Sequence, residues 1–164
     1  MNSKKSDKIF ISYYNSPIGL LFLQANKSKL ETIEFVELRK YEEKINNILK
    51  ITTLQLNEYF SGERFKFDLP LEFIGTNFQN KVWEALRQIH YGRTVSYKVI
   101  AERINHPKAY RGVGNANNKN KLPIVIPCHR VIGSKGQLTG YAGGIWRKKW
   151  LLEHEKKVSE RKGI

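Results

Sequence analysis

The sequence predicts an α/β protein of the α+β type, with a small α/β domain over residues 1–70 and a mostly helical domain over residues 71–164. Alternating apolar residues, typical of strands, fill most of the first 36 residues, and helical spacing becomes frequent from residue 76. The two parts also differ in charge, because residues 1–70 carry 11 Lys and Arg against 9 Asp and Glu, whereas residues 71–164 carry 18 against 6. The net charge of +14 therefore lies almost entirely in the second part.

The first part is predicted to contain three strands and one helix. The turn residues Asn15-Ser16-Pro17 separate the first two strands, and the helix runs from about Tyr41 to Gly62, a residue that can end it. Residues 65–69 alternate again before Pro70 closes the domain, which holds no concentration of reactive groups and is interpreted as a scaffold. The strands cover residues 8–14, 18–24 and 30–36, and the helix face consists of Ile45, Ile48, Leu49, Thr52, Leu56 and Tyr59.

The second part opens with helices that have recognisable caps. Thr76 and Gln79 have the spacing of a capping box, and Ser96 can cap the next helix, which Asn105-His106-Pro107 ends. A further helix over residues 108–118 follows after a short connection, so the pair is predicted to form a helix-turn-helix. Two glycines weaken this last helix but let another backbone approach closely, which suits a helix that lies against a nucleic-acid groove.

Cys128 is the only cysteine of the chain, so it cannot form an intramolecular disulfide or a cysteine-based zinc site. Ile124-Val125-Ile126 is predicted to be a short buried strand that Pro127 ends, which would place the thiol at a strand end. His129 and Arg130 follow directly, and such groups can lower the pKa of a thiol and supply the reactive thiolate. A buried structural thiol is the alternative. The neighbouring residues favour a nucleophile.

The concentration of positive charge in the second part indicates a polyanionic partner, and nucleic acid is the first candidate. A solubilising surface is the alternative, although solubility alone would not require so uneven a distribution. No apolar run approaches the ~20 residues that span a bilayer, and the polar residues 1–8 do not lead into a continuous apolar signal core. The protein is therefore expected in the cytoplasm, associated with the nucleoid when bound to DNA, and without a membrane partner.

Five blocks of the second part resemble the O6-alkylguanine-DNA alkyltransferases, also known as methylated-DNA–protein-cysteine methyltransferases. The resemblance keeps its order and spacing from about residue 73 to residue 155, which makes it far more specific than any single block. It implies a winged helix-turn-helix catalytic domain behind a ribonuclease H-like α/β domain, whose layout the first 70 residues match. The blocks are Gly75 to Gln79 with Val82-Trp83, Ser96-Tyr97, Arg111 to Asn117, Ile126 to Ile132, and Gly140 to Gly144.

The resemblance implies DNA repair by irreversible transfer of an alkyl group from O6-alkylguanine, and also from O4-alkylthymine, to Cys128. Each molecule would react once, because a thioether is not readily hydrolysed and the chain has no second thiol. His129 would pass the thiol proton through a water molecule to Glu155, and Tyr97 would protonate or hydrogen-bond the departing guanine. Asn120 matches the family's hinge asparagine, although the residue after it is not the usual proline. Taken singly, Tyr97, His129 and Glu155 could equally be structural residues.

The resemblance also implies the contacts with the substrate. Arg111 would enter the base stack in place of the extruded nucleotide, with a phosphate contact as the alternative. The expected partner is double-stranded DNA that carries O6-alkylguanine, bound by a monomer that needs neither a cofactor nor a metal. The DNA-binding surface would consist of Tyr97, Arg111, Gly112, Gly114, Asn115, Ala116 and Asn117, and the alkylguanine pocket of Val131, Tyr141, Ala142 and Gly143.

Two other classes of protein stay open at this point. A binding-only alkyltransferase-like protein would keep the DNA surface but replace the nucleophile, and Cys128 argues against that class. A hydrolase with a Cys-His pair would account for Cys128 and His129, but not for the charge of the second part or the glycine-rich helix. Consumption of the thiol that depends on DNA would separate the three classes.

Overall fold

The computed structural model describes residues 8–164, which divide into two compact units between Glu72 and Phe73. Among these residues, the first unit contains a three-stranded sheet and one helix, and the second contains four helices, a 3₁₀ turn and a two-stranded sheet. This is the α+β architecture that the sequence predicts. Within residues 8–164 no helix is long and apolar enough to cross a membrane, and residues 1–7, considered above as a possible signal, lie outside the described part.

The first unit is built on an antiparallel sheet in the order β1-β2-β3. Ser16 pairs with Gly19 across a two-residue turn, and Gly19 adopts a φ of 124°, which a residue with a side chain rarely accepts. The turn residues therefore help to fix the register of this hairpin. Each strand lies within two residues of its predicted position, with β1 at Phe10–Ser16, β2 at Gly19–Ala25 and β3 at Leu30–Val36.

The helix of the first unit, α1 (Asn47–Phe60), starts later than predicted. Lys44 pairs with Ile11 of β1 through two backbone hydrogen bonds of 2.9 Å, so the chain before the helix is held against the sheet. Asn46 then caps the helix with its side chain, which defines the first helical residue. Ile45, predicted to lie on the buried face of the helix, is exposed and precedes it. The helix starts later than predicted because the backbone of Lys44 bonds to the edge of the sheet and is not available to the helix.

The alternating residues 65–69 form no strand. Gln55, on the buried face of α1, reaches them with its side-chain amide, which donates to the Asp68 carbonyl over 2.8 Å and accepts from the Asp68 N–H over 2.9 Å. Leu71 follows as an isolated bridge to Leu30 of β3. A side chain thus satisfies backbone groups that would otherwise need a neighbouring strand.

The second unit begins with α2 (Asn77–Arg87), which has the predicted capping box at Thr76 and Gln79. Trp83, on its buried face, donates its indole N–H to the Ala116 carbonyl over 2.8 Å. This bond joins α2 to the last helix of the helix-turn-helix and leaves the indole nitrogen satisfied inside the unit.

The predicted helix-turn-helix consists of α3 (Tyr97–Arg103) and α4 (Tyr110–Asn118). Ser96 caps α3 as expected, and its side chain accepts a hydrogen bond from the Val99 N–H over 3.2 Å. A Cβ at Gly112 would lie 3.3 Å from the ring of Phe78, so the absence of a side chain there lets α4 pack closely on α2.

The remaining elements place the C-terminal helix against the cysteine segment. A two-stranded parallel sheet pairs β4 (Val95–Ser96) with β5 (Val131–Ile132), and α5 (Ile145–Lys162) follows. The buried positions of α5 recur every three or four residues, so they share one face of the helix. Two of the four are charged, and the helix therefore carries charge into the interior; the four are Lys148, Leu151, Glu155 and Val158.

Candidate active site

The thiol opens a 3₁₀ turn, Cys128–Arg130, and does not end a strand as predicted. Residues 124–126 are buried, yet they form a tight turn. Asn120 holds this turn, because its side chain donates to the Ile126 carbonyl over 2.8 Å and accepts from the Leu122 N–H over 2.9 Å. The amide thereby occupies backbone groups that a strand would use, which is why the predicted strand is wrong.

Cys128 is almost completely buried, with 4% of its surface exposed. Its carbonyl accepts a hydrogen bond from the Asn117 side chain over 3.3 Å, which helps to fix the backbone of the turn. Burial raises the pKa of the thiol to about 11, although a hydrogen bond from Asn120 and the positive charge of Lys148 act to lower it. The resting thiol is therefore protonated, and its ionisation requires a base and a stabilising charge.

Glu155 lies at the centre of a buried polar cluster that also contains His129 and Arg130. The Nε2 atom of His129 lies 2.7 Å from one carboxylate oxygen, and Arg130 donates to both oxygens at 2.9 Å through Nε and Nη2. Burial alone would raise the pKa of Glu155, but His129 and Arg130 outweigh burial and hold that pKa well below its usual range. Glu155 is therefore ionised at neutral pH.

The contact with Glu155 also sets the state of His129. Burial lowers the pKa of the imidazole, and Glu155 offsets only part of this effect. Because an ionised carboxylate can only accept hydrogen bonds, the neutral ring carries its proton on Nε2, which faces Glu155. Nδ1 is then the basic nitrogen, and it has no hydrogen-bond partner among the residues that the structure describes. The ring can therefore accept one proton at Nδ1.

Arg130 does not act on the thiol in the way that its place in the sequence suggests. Its guanidinium is committed to Glu155, donates through Nη1 to the Ile89 carbonyl over 2.7 Å, and lies 5.6 Å from the centre of the Tyr91 ring. With His129 neutral as well, neither neighbour supplies a free cation to Cys128. This corrects the expectation that these two side chains would lower the thiol pKa through their charge.

Lys148 on α5 is fully buried, and no sequence motif had marked it as a site residue. Its Nζ atom donates to the Thr139 carbonyl over 2.9 Å and lies 5.9 Å from the centre of the Tyr97 ring, and the Tyr97 hydroxyl donates to the same carbonyl over 3.0 Å. Burial lowers the pKa of Lys148 to about 8, although the negative charge of a Cys128 thiolate acts to raise it. Its place on the same helical face as Glu155 was the signal that could have revealed it.

The residues of α4 predicted to bind DNA divide between the surface and the interior. Ala116 and Asn117 are buried, and their polar groups bond to Trp83 and to Cys128 respectively. Both therefore lie beneath the exposed face of α4 and help to position this helix, which differs from the surface position that the prediction gave them. The residues of α4 that stay exposed or half-buried are Arg111, Gly112, Gly114 and Asn115, and Tyr97 at the start of α3 is half-buried.

An open concavity of about 350 Å³ lies between α4 and the loop that precedes α5. Gly140 in this loop has a φ of 54°, and a Cβ there would come within 2.9 Å of the Asn118 amide. A side chain at this position would therefore meet both backbone strain and a steric clash. The concavity is lined by Tyr97, Tyr110, Arg111, Gly114, Asn118, Thr139 and Gly140.

The four residues predicted to line the alkylguanine pocket differ in their exposure to solvent. Val131 and Tyr141 are buried, whereas Ala142 is exposed and Gly143 half-buried. Burial raises the pKa of Tyr141 well above its usual value. A negative charge on Cys128 would raise this pKa further, because the hydroxyl would then be harder to ionise. Among residues 8–164, no group of three His, Cys, Asp or Glu side chains is placed to hold a metal ion.

Two family models match the chain, one for each unit. Residues 9–73 match the ribonuclease-like domain of 6-O-methylguanine DNA methyltransferase, and residues 77–157 match the DNA binding domain of the same protein. A methylated-DNA–protein-cysteine methyltransferase from Methanosarcina barkeri is 46% identical over 152 residues, which cover 87% of this chain and 96% of the relative. One from Mycobacterium tuberculosis is 47% identical over 148 residues, which cover 87% and 89%.

Solved structures agree with these relatives. The O6-methylguanine methyltransferase of Mycobacterium tuberculosis has a TM-score of 0.83 and 44% identity, with 92% of this chain and 94% of that chain covered. A second structure, Mycobacterium tuberculosis OGT in complex with DNA, has a TM-score of 0.82 and 46% identity, with 89% and 92% covered. The sequence blocks, the two domain models and these likenesses agree: the chain belongs to the methylated-DNA–protein-cysteine methyltransferase family.

Proposed function

We propose that the protein repairs double-stranded DNA by transferring the alkyl group of O6-alkylguanine, and also of O4-alkylthymine, to Cys128, once per molecule. The observation that carries the proposal is the environment of the only thiol in the chain, which is followed directly by a neutral His129 held by the ionised Glu155. Membership of the family and the DNA-bound relative support DNA as the partner.

The chemistry is a direct displacement. The Cys128 thiol gives its proton to Nδ1 of His129, and the thiolate attacks the alkyl carbon that is bonded to O6 of guanine. A carbon–sulfur bond forms while the carbon–oxygen bond breaks, and the electron pair of that bond stays on the guanine. The Tyr97 hydroxyl exchanges its bond to the Thr139 carbonyl for one to the base and delivers a proton, which solvent replaces. Guanine leaves neutral, and the protein keeps a thioether.

Glu155 serves this reaction as an ionised anchor. Its lowered pKa makes it a poor final acceptor for the thiol proton, in contrast to the relay that the resemblance implies. The carboxylate instead orients the ring and stabilises the imidazolium that forms when Nδ1 is protonated, as the aspartate does in a Ser-His-Asp triad. Arg130 keeps the carboxylate charged, and Asn120 holds the turn that presents the thiol.

The DNA would bind across the exposed face of α4. Arg111 is free at this surface to replace an extruded base, and the small side chains of Gly112 and Gly114 allow the backbone of the helix to approach the minor groove. The alkylated base would then lie against Val131, Tyr141, Ala142 and Gly143. We propose that a monomer carries this out in the cytoplasm, and sedimentation of the protein on a short duplex tests the stoichiometry.

Mass spectrometry of the intact protein tests the function directly. After incubation with a duplex that carries one O6-methylguanine, we expect a gain of one methyl mass, located on the peptide that contains Cys128 and saturating at one per chain. The same duplex with unmodified guanine and the Cys128→Ser variant serve as controls. A methyl group on another residue, or no gain while the duplex is still bound, would contradict the proposal, and the second outcome would favour a binding-only protein.

A further inference from the structure

We propose that Arg147 of α5 is a positioning residue for the alkylated base, because its guanidinium holds the turn formed by residues 141–144 against the first turn of the helix. We call these four residues the pocket turn. The inference deepens the proposed function and rests on it, since Tyr141, Ala142 and Gly143 are proposed to line the alkylguanine pocket.

The pocket turn contributes little of its own to hold its shape. Gly140 before it and Gly144 at its end adopt φ values of 54° and 92°, a region in which glycine is at ease but loses much backbone freedom on folding. The Gly144 N–H closes the turn by donating to the Tyr141 carbonyl over 2.8 Å. Between them, Ala142 is exposed and Gly143 has no side chain to pack. A contact from outside the turn therefore has a large effect on its position.

Arg147 supplies such a contact. Its Nη1 atom donates to the Gly143 carbonyl over 2.7 Å, which joins the pocket turn to α5. Its guanidinium lies 4.5 Å from the centre of the Trp146 ring, and a Cβ at Gly144 would lie 3.4 Å from the same indole. A planar guanidinium can stack on a ring while it donates in its own plane, so the indole helps to fix the group that holds the turn.

The guanidinium also lies close enough to the buried part of the pocket to act on it. Its positive charge lowers the pKa of Tyr141, against the larger effect of burial, which raises that pKa. The pocket turn thus carries both a buried wall of the proposed pocket and the carbonyl that Arg147 holds. Because a misplacement of about 1 Å can slow a reaction about a hundredfold, a turn released from α5 should slow alkyl transfer.

A contact with a DNA phosphate is the other role open to an arginine in a basic unit. The engagement of Nη1 with the Gly143 carbonyl and of one face of the guanidinium with Trp146 favours the pocket turn. The two roles also differ in what they affect. A phosphate contact strengthens the binding of any duplex, whereas the pocket turn acts only once the alkylated base has entered the pocket.

Single-turnover methyl transfer from a duplex that carries one O6-methylguanine, with the protein in excess, tests the inference. We expect the limiting rate of Arg147→Met to fall about tenfold, as for the loss of one charge-assisted hydrogen bond. The protein concentration that gives half of this rate should stay near its wild-type value. Arg147→Lys, which keeps the charge and a donor but not the planar group, should have an intermediate rate.

Trp146→Ala provides a second variant at an exposed position, where the fold does not depend on the side chain. It removes the ring beneath the guanidinium and leaves the donor to Gly143 in place, so its limiting rate should fall about threefold. Circular dichroism during thermal unfolding checks that each variant is folded.

Arg161→Met is the matched control, because Arg161 is an exposed arginine on the same helix and its replacement removes the same charge. Its limiting rate should equal that of the wild type. Arg147→Met and Arg161→Met should bind an unmodified duplex equally, with the same salt dependence. The reaction of Cys128, the only cysteine, with iodoacetamide should keep its wild-type rate in Arg147→Met, because the change leaves the thiol and its neighbours in place.

An unchanged limiting rate in folded Arg147→Met and Trp146→Ala variants would overturn the inference. Weaker binding of the unmodified duplex by Arg147→Met than by Arg161→Met, with a salt slope lower by about one, would overturn it in favour of a phosphate contact. A slower reaction with iodoacetamide would overturn it in favour of a general disturbance of the site.

The wild type is measured first, so that two kinds of failure can be told apart. If the wild type accepts no methyl group, the proposed function fails, and the role of Arg147 fails with it. If the wild type accepts one methyl group and Arg147→Met reacts at the same rate, the proposed function stands and the role of Arg147 alone is rejected.

Discussion

The two units bury different kinds of polar side chain. Among the described residues of the first unit, the buried polar side chains are neutral, namely Ser12, Thr52 and Gln55. The second unit buries two amides and four ionisable side chains, namely Asn117, Asn120, His129, Arg130, Lys148 and Glu155. The first unit thus completes its core with hydrogen bonds between neutral groups, whereas the second collects charge around one thiol.

The difference separates a unit whose buried polar groups are neutral and hydrogen-bonded from a unit whose buried charges cost stability. Thr52 donates to the Ile48 carbonyl of its own helix over 2.8 Å, and Gln55 bonds to the backbone of Asp68, so both side chains are satisfied by backbone groups of the same unit. Buried charges carry a desolvation cost that their mutual attraction often fails to exceed. We therefore infer that the charges retained in the second unit serve the proposed alkyl transfer.

Removing the central carboxylate should have the largest effect. Glu155→Gln leaves the Arg130 charge buried and unpaired, so we expect the second unit to lose about 3–5 kcal/mol of unfolding free energy. Methyl transfer should also be lost, because the His129 ring is no longer held by an anion. Urea unfolding followed by tryptophan fluorescence measures the loss, since Trp83, Trp146 and Trp150 all lie in this unit.

The matched control for this change is Glu153→Gln. Glu153 lies on the same helix, is about half exposed and faces Lys149 at 3.9 Å. We expect a change within about 0.5 kcal/mol, as for most exposed ion pairs. If Glu155→Gln and Glu153→Gln are destabilised equally, buried charge does not explain the difference between the two units.

Acid should destabilise the second unit more than the first. Glu155 and His129 both have folded pKa values below their ordinary values of 4.5 and 6.5, so the unfolded chain binds more protons as the pH falls. Stability should therefore be complete above about pH 6.5, decrease below it, and decrease further below about 4.5. We expect a loss of about 2 kcal/mol or more between neutral pH and pH 4.

Amide exchange measured separately for each unit tests the effect of acid. The strands β1, β2 and β3 should keep most of their protection at pH values where the amides of α5 have lost theirs, after correction for the intrinsic exchange rate. Equal losses in the two units would show that the buried charges do not control the acid response.

The smallest loss of stability is expected when a buried polar side chain of the first unit is removed. Gln55→Ala removes two hydrogen bonds to Asp68 and leaves a part-buried N–H and carbonyl, which should cost about 1–3 kcal/mol. The cost should be independent of pH between 4 and 7, and methyl transfer should keep its wild-type rate. Circular dichroism during thermal unfolding measures the stability, with the exposed Lys50→Ala on the same helix as control.

The elements that could be predicted from the sequence are those with local causes. The hairpin of β1 and β2 follows from its turn residues, and α2 and α3 begin at the predicted caps, Thr76 and Ser96. The start of α1 and the path of residues 124–126 could not be predicted. In both places a distant group takes the backbone bonds, the Ile11 strand in one case and the Asn120 side chain in the other.

Within the candidate site, resemblance to the family predicted Cys128 as the nucleophile and pointed to His129 and Glu155, which the structure brings into contact, but not the balance of charge around them. The resemblance predicts that Arg130 pairs internally, but neither its partner Glu155 nor the burial of Lys148 could be read from sequence neighbours, because both depend on how α5 packs against the cysteine turn. Ala116 and Asn117 are buried by different contacts, against Trp83 of α2 and the Cys128 carbonyl, and so lie away from the surface where the sequence placed them.

The sequence by itself determined that the chain has a near-neutral α/β part, a basic helical part with a helix-turn-helix, and one thiol inside a family motif. The tertiary structure decided which charges act on that thiol. Electrostatic interactions depend on distance and burial in space, and residues on one face of a distant helix can be closer to a group than its neighbours in the chain. For Cys128 the result is a neutral histidine beside it and a buried lysine from α5.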